Sequence, residues 1–171
     1  RSETNGIAEK AVGRVKQGTS VVLGQSGFSD EWWAEAMTAY CFLRNIIDKL
    51  ASGNTAYYNR FGKDFDGTEI PFGAEITWTP ISQTDKARLH GLGARVLSGI
   101  FLGYEQQAGG GWSGDVKFVD WEDLENAQTA DSVDIKRSLA KEVRAVKVNG
   151  KFRFPLAEGD LSQPGLRAKQ V

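Results

Sequence analysis

The spacing of apolar residues changes partway along this chain, and that change limits the folds open to it. Residues 30–50 place apolar side chains, among them Trp32, Trp33 and Tyr40, at the three- and four-residue spacings of one helix face. From about residue 70 the chain instead shows short β-branched or alternating runs, separated by glycine-rich turns. Helices followed by several short strands predict an α+β fold, in which helices precede a small antiparallel sheet.

Two helices are predicted in the first third of the chain. Residues 5–23 repeat apolar side chains at spacings of three and four. Residues 30–50 begin after Ser29, a residue suited to cap a helix, and end before Gly53. The wide aromatic face of this second helix needs a deep partner surface. We therefore expect part of the core on which it packs to lie outside the chain.

The strand signals come later and differ in strength. Strands are predicted at residues 75–79, 95–104 and 116–119, with a hairpin over 143–156. The hairpin signal is the strongest, because Asn149-Gly150 is the dipeptide that type I′ turns favour. Several short strands with glycine-rich turns indicate a small barrel or sandwich.

Charge is distributed unevenly, although the 171 residues sum to a net charge of only −1. Residues 61–134 hold five basic and thirteen acidic side chains, whereas residues 135–171 hold nine basic and three acidic. Basic clusters attract phosphate backbones, because binding releases counterions. The basic C-terminal part therefore favours a nucleic-acid partner, with a solvated hairpin as the alternative. No apolar run reaches the ~18–20 residues of a membrane-spanning helix, so no membrane partner is expected.

The usual catalytic motifs are absent from the sequence. One cysteine, Cys41, and one histidine, His90, are too few for a structural zinc site, which usually takes four such ligands. Cys41 can form no internal disulfide and reads as a core residue, which favours a reducing compartment. The glycine-rich stretch 109–114 lacks the Lys-Ser/Thr ending of a phosphate-binding loop and is predicted as a turn.

Four short segments, however, stand out in order along the chain. They read Asn5-Gly6-Ile7-Ala8-Glu9-Lys10, then Trp32-Trp33-Ala34-Glu35-Ala36 with Leu43-Arg44-Asn45, then Asn54-Thr55-Ala56-Tyr57 to Phe61-Gly62, and finally Gly99-Ile100-Phe101-Leu102-Gly103-Tyr104. Together they resemble the Asn-Gly-Val-Ala-Glu-Arg, Phe-Trp-Ala-Glu-Ala, Lys-Thr-Pro-Tyr-Glu and Ile-Phe-Leu-Gly-Tyr segments of copia-type retrotransposon integrases. The resemblance covers about residues 2–120. Ala56 and Gly13 depart from it, since the family usually has proline and often lysine there.

The resemblance implies a fold for each part of the chain. Residues 1–53 would be the last helices of a ribonuclease-H-like integrase core, truncated at its N-terminal side, and residues 54–69 a linker. Residues 70–157 would form a small Src-homology-3-like β-barrel, and residues 158–171 a flexible tail. The sheet on which the aromatic helix packs would then lie upstream of Arg1.

The resemblance also implies a site. Such integrases hold two divalent metal ions, Mg²⁺ or Mn²⁺, between two aspartates and a glutamate, and the metals activate water or a DNA 3′-hydroxyl. By its place in the motif, Glu9 resembles that glutamate, which makes it the candidate catalytic and metal-ligating residue. The candidate DNA-binding residues are Asn5, Lys10, Arg14 and Lys16 in the first helix and Lys147, Lys151 and Arg153 in the hairpin. The implied partners are DNA of the element ends and target, the rest of the polyprotein and a second copy of the chain, in the nucleus or cytoplasm.

The order of acidic residues limits what this chain does alone. Both aspartates precede the glutamate in the family, but none of the eight residues before Glu9 is aspartate. A lone carboxylate is a poor magnesium site. We therefore expect this chain by itself to hold no metal and to catalyse nothing, while forming part of a DNA integrase. The alternatives are a non-catalytic nucleic-acid-binding barrel, a protein-interaction module in which Trp78, Trp112 and Trp121 line a peptide groove, or a remnant without function.

Overall fold

Helices fill the first part of the chain, and an antiparallel sheet most of the remainder. The computed structural model describes residues 2–89, 93 and 95–164. Within them the helices are α1 (Ser2–Ser26), α2 (Trp33–Ile47), α3 (Ala56–Phe61), α4 (Gln83–Lys86), α5 (Trp121–Asn126) and α6 (Pro155–Glu158). The strands are β1 (Glu75–Trp78), β2 (Leu97–Gln106), β3 (Trp112–Asp120), β4 (Lys136–Leu139), β5 (Val143–Ala145), β6 (Lys147–Val148) and β7 (Lys151–Phe152). Short 3₁₀ turns lie at Asp30–Trp32, Ala130–Ser132 and Ala140–Glu142. The prediction of an α+β fold with helices ahead of an antiparallel sheet is thus confirmed.

The apolar face of α2 packs on the sheet of this same chain. Ala36 and Ala39 are buried in one hydrophobic cluster with Leu102 of β2. Phe42 belongs to a second cluster, where its ring stacks on Tyr104 with 4.9 Å between centroids. The expectation that the partner sheet lies upstream of Arg1 is therefore corrected, because β2 supplies that surface. Small side chains on this face of α2 let the helix approach the strand closely.

The five-stranded sheet is curled so that its two edges approach each other. Its order is β4-β3-β2-β1-β5, with antiparallel neighbours throughout. The edge strands β4 and β5 are separated only by the turn Ala140–Glu142. A flat sheet would hold these edges roughly 19 Å apart, whereas the link from Leu139 to Val143 spans at most about 14 Å. Accordingly, the Lys136 Nζ atom on β4 lies 5.4 Å from the ring centre of Trp78 on β1, although β4 and β1 are not neighbours in the strand order.

Residues 54–69, expected as a linker, contain the short helix α3. The Thr55 hydroxyl caps it by accepting the Tyr58 N–H at 3.1 Å, and Gly62 ends it in the left-handed conformation with φ of 74°. Tyr57 of α3 is buried in the second hydrophobic cluster. Six residues are too few to show helical periodicity, so neither this helix nor its packing could be predicted from local spacing.

The segment expected as a flexible tail is packed over its first part. Leu161 is buried in the first hydrophobic cluster. The Gln163 side chain accepts the Ser29 N–H at 2.9 Å and donates to the Gly27 carbonyl at 2.6 Å. This corrects the expectation for residues up to 164, because these contacts tie them to the end of α1. The remainder, residues 165–171, lies outside the described residues.

The predicted turn at Asn149-Gly150 is confirmed, although the strands around it are shorter than expected. Both residues have positive φ, 54° and 77°, as a type I′ turn requires. On either side of the turn, β6 and β7 pair as a separate two-stranded ribbon. The run from Val143 is divided, because β5 pairs with β1 of the main sheet instead.

Tyr104 ties the segment before β1 to the centre of the sheet. Its phenol donates to the Thr68 carbonyl and accepts the Ile70 N–H at 2.9 Å. Burial raises the pKa of Tyr104 to about 12. The folded chain therefore favours the neutral phenol more strongly than the unfolded chain does.

This burial predicts a loss of stability in strong alkali. An unfolded tyrosine has a pKa near 10, so the contribution of Tyr104 is fully present below about pH 10 and disappears as the pH rises through about 12. Urea unfolding from pH 8 to 11.5 should show an alkaline decline about 2 kcal/mol larger in the wild type than in Tyr104→Phe. Tyr58→Phe is the control, because Tyr58 is exposed and should decline like the wild type. Equal declines in all three proteins would contradict the role given to Tyr104.

Candidate functional site

The half of α1 that carries Glu9 is uncovered. Between Asn5 and Gln17 every residue is exposed except Gly6 and Val15, which are half-buried. Even the apolar side chains are bare here, with Ile7 70% and Val12 54% exposed. The predicted apolar stripe is thus covered only in its C-terminal half.

The C-terminal half of α1 is anchored firmly. Thr19, Leu23 and Ser26 are buried there, on the side of the helix that faces the rest of the chain. The Tyr40 ring of α2 lies directly against Gly18, where a Cβ atom would stand 2.1 Å from the ring. Fixing this half leaves the N-terminal turns extending as a continuous helix, since α1 has no break.

The candidate residues of α1 divide between two faces of the helix. At about 100° per residue, Asn5, Glu9 and Lys16 fall within about 40° of one another. Lys10 and Arg14 lie about 100–140° around the helix from Glu9. In the described part of the chain, the side chains of Glu9 and of these three cations form no ion pair or hydrogen bond. They are therefore free to meet another molecule.

The described residues do not complete a metal site around Glu9. No three histidine, cysteine, aspartate or glutamate side chains among them are grouped so that they could hold a metal ion. Magnesium is usually held by several oxygen ligands, so the single carboxylate of Glu9 does not fit this role unaided. We derive no chemical step from it.

The basic residues of the hairpin region do not form a single cluster. Lys147 stands opposite Phe152 and Lys151 opposite Val148, so the two lysines project from opposite faces of the β6–β7 ribbon. Lys147 lies over the Phe152 ring, 4.7 Å from its centre. Arg153 is already held by two carboxylates, those of Glu158 at 3.1 Å and Asp160 at 2.7 Å.

The neighbouring cations separate into paired and unpaired groups. Lys136 pairs with Asp85 at 3.5 Å, and Arg137 pairs with Glu105 at 2.9 Å. Within residues 135–164, the cations without an ion-pair partner in the described part of the chain are Lys141, Arg144, Lys147 and Lys151. All four are exposed. The sequence listed Arg153 with Lys147 and Lys151 as candidate DNA-binding residues, because charge counts do not show which carboxylates lie nearby.

A second charged group, centred on Arg88, has a structural character. Its guanidinium makes two bonds to Asp120, at 3.1 and 2.9 Å, and also reaches Asp85 at 3.4 Å and Glu122 at 3.2 Å. Asp120 is buried, and its carboxylate also accepts the Asp123 N–H at the start of α5. Arg88 is thus neutralised by its neighbours and joins α4, β3 and α5.

The tryptophans considered for a peptide groove are used within the fold. Trp78 is buried and donates its indole N–H to the Ser98 carbonyl at 3.2 Å. Trp112 donates to the Asp115 carbonyl at 2.7 Å and packs on Phe65. Trp121 packs against the first hydrophobic cluster. These contacts indicate that the three tryptophans stabilise the fold by packing.

The structure gives no catalytic role to Cys41 or to the glycine-rich stretch 109–114, the other features that the sequence raised. Cys41 is half-buried on α2, and burial raises the pKa of its thiol, which disfavours the nucleophilic thiolate. The glycine-rich stretch forms the turn between β2 and β3, where Gly109 and Gly110 have φ of 93° and 90°. His90 lies outside the described residues.

Searches of protein-family models, curated proteins and solved structures return no match for this sequence or its fold. Among residues 2–89, 93 and 95–164, no helix combines the length and apolar character needed to cross a bilayer.

Proposed function

We propose that this chain is part of a copia-type retrotransposon integrase and that it binds DNA within the nucleus or cytoplasm. The observation that carries the proposal is the bare N-terminal half of α1. The segment that resembles the family's glutamate motif is helical, and the apolar side chains Ile7 and Val12 in this half of α1 are 70% and 54% exposed. A helix taken from a larger core would leave such a surface uncovered. The rest of a ribonuclease-H-like core, supplied by the polyprotein or by a second copy, is the proposed cover.

The curled sheet supports the barrel assigned to residues 70–157. Its two edge strands are linked by three residues, and Trp78 of β1 meets Phe118 of β3 inside it, with 5.1 Å between ring centres. Two register shifts in β2, after Phe101 and after Tyr104, provide the bends that closing a small sheet requires. These features agree with a Src-homology-3-like barrel.

DNA binding is assigned to the cations that no carboxylate neutralises. On α1 these are Lys10, Arg14 and Lys16, and within residues 135–164 they are Lys141, Arg144, Lys147 and Lys151. Unpaired cations bind phosphates more readily, since no ion pair must first be broken. Arg153, paired twice, is expected to contribute less. Glu9 offers one carboxylate to an Mg²⁺ or Mn²⁺ site that needs the upstream aspartates.

The proposed DNA binding has a direct test. We expect a fluorescein-labelled 20-base-pair duplex to bind with an affinity that falls steeply between 50 and 300 mM salt, by a slope near 0.9 per phosphate contact. Lys147→Ala should lower that slope by about one unit. Arg137→Ala is the matched control, since Arg137 is exposed but paired, and should change it little. Weak binding with a flat salt response would overturn the proposal.

A second candidate function, nucleic-acid binding without any link to catalysis, is favoured by the lack of a metal group among the described residues. A plasmid-nicking assay with Mg²⁺ should show no activity of this chain, with or without Glu9→Gln. The two candidates separate when the upstream part of the polyprotein is present. Strand transfer that Glu9→Gln abolishes supports the integrase, whereas a complex indifferent to Glu9 supports the plain binding module.

A further inference from the structure

The turn of the β6–β7 ribbon presents an asparagine followed by a glycine, with open space around them. Asn149 and Gly150 are exposed, and a Cβ atom added to Gly150 would meet no atom within 4 Å. In the described part of the chain, neither the Asn149 side chain nor the Gly150 N–H forms a hydrogen bond. The side-chain amide of Asn149 and the backbone nitrogen that follows it are therefore both free to react.

These two groups can react with each other. After base removes the proton from the Gly150 nitrogen, that nitrogen attacks the Asn149 Cγ atom. The new C–N bond closes a five-membered succinimide ring, and the side-chain nitrogen leaves as ammonia. Water then opens the ring to aspartate or isoaspartate, so the overall reaction consumes water, releases ammonia and turns the amide into a carboxylate. Glycine suits the second position, because it has no side chain to crowd the ring.

Ring closure requires the backbone of the turn to rotate, and the ribbon permits this rotation. β6 and β7 have two residues each and pair only with each other. A two-stranded ribbon is marginally stable by itself. Its root is held more firmly, since Glu75 of β1 accepts the Val146 N–H at 3.0 Å and donates to the Arg153 carbonyl at 2.8 Å. The turn can therefore open locally while the main sheet stays folded.

The other asparagines of the sequence are less suited to this reaction. Asn5-Gly6 is the same dipeptide, but it lies in α1, where the Gly6 N–H belongs to the hydrogen-bond ladder of the helix. Asn54 is exposed in a turn, but Thr55 follows it, and a β-branched side chain crowds the attacking nitrogen. The remaining three lie within helices α2, α3 and α5, and they are Asn45, Asn59 and Asn126.

We propose that Asn149 is the preferred deamidation site of this chain, and that the reaction places a carboxylate between Lys147 and Lys151. Each lysine is two residues from Asn149 along the chain, and two residues of a strand span about 7 Å. That separation is shorter than the Debye length of about 10 Å at 0.1 M salt. The new anion offsets part of the attraction of both lysines for phosphates. This consequence rests on the DNA binding proposed above.

Peptide mapping by mass spectrometry tests the site, after the native full chain has been kept in mildly alkaline buffer. Asn149 should lose its amide about tenfold faster than Asn5 or Asn54. In urea Asn5 should approach the rate of Asn149, since the two dipeptides are identical. The proposal is overturned if Asn149 keeps its amide in the native chain but loses it in urea. Equal rates at Asn5 and Asn149 in the native chain would overturn it as well.

A binding measurement tests the consequence for DNA. Asn149→Asp reproduces the added charge, and should weaken binding of the labelled duplex about two- to fivefold at low salt. Asn54→Asp is the matched control, because it adds the same charge to an exposed turn outside the hairpin, and it should change the affinity little. Wild-type affinity in Asn149→Asp would overturn the consequence and leave DNA binding intact. A wild type that binds no duplex would overturn both the DNA function and the consequence, whereas the peptide map still decides the site.

Discussion

Replacing Gly73 with alanine is expected to lower the free energy of unfolding by about 3–4 kcal/mol. Gly73 has φ of 87°, a region in which an L side chain is strained. Its added Cβ would also stand 2.2 Å from the Ser26 Cβ and 2.7 Å from the Ser26 Cα, so the end of α1 would have to move. The Gly73 N–H bonds to the Phe101 carbonyl of β2, which holds the turn in place.

Gly53→Ala is the matched control for this substitution. Gly53 has the same φ of 87°, but a Cβ there would meet no atom within 4 Å. Gly53→Ala should lower the free energy of unfolding by about 1–2 kcal/mol, which corresponds to the backbone strain alone. Urea unfolding followed by tryptophan fluorescence measures both. Equal losses would mean that α1 does not press on the turn before β1.

The second large effect is expected for Asp120→Ala, at about 3–4 kcal/mol. The Asp120 side chain is 3% exposed, bonds twice to Arg88 and accepts the Asp123 N–H. Removing it leaves part of a guanidinium without its most buried partner and takes away the cap of α5. Both losses act together, because one carboxylate serves both contacts.

Glu122→Ala provides the comparison, since it removes another carboxylate from the same guanidinium. Glu122 lies 3.2 Å from Arg88 but is 67% exposed, and exposed ion pairs contribute little. Its removal should change the free energy of unfolding by less than about 0.5 kcal/mol. Thermal and urea unfolding of the two variants at the same pH provides the measurement. A loss for Asp120→Ala as small as that for Glu122→Ala would show that burial of Asp120 is unimportant.

The elements with local signals were predictable from the sequence. Helices α1 and α2 follow from apolar spacing, and β1 follows from the alternation that ends before Pro80. The hairpin turn follows from the positive φ that Asn149 and Gly150 tolerate. Each of these elements is determined by residues close together in the sequence, through the spacing of apolar side chains or the residues of a turn.

Features that depend on distant partners were not predictable. The width of the α2 face shows that it is buried, but nothing within residues 30–50 shows that β2 covers it. The tail residue Gln163 is polar, and its burial depends on two backbone groups at the end of α1. Packing of this kind is decided by tertiary contacts, which a local pattern does not contain.

The candidate site shows the same division. The motif around Glu9 could be located from sequence, and so could the excess of basic residues after residue 135. The sequence does not show which of those basic residues are neutralised. Arg153, for example, meets the carboxylates of Glu158 and Asp160 only in the folded chain.

The strand order also determines when the sheet can be completed during synthesis. β1 emerges early, yet its outer edge is covered by β5, where Ile76 pairs with Ala145. Until that last strand leaves the ribosome, β1 presents unpaired N–H and carbonyl groups to other chains. β5 thus protects the nascent chain against aggregation, and we expect a version of this protein shortened before Val143 to aggregate more readily.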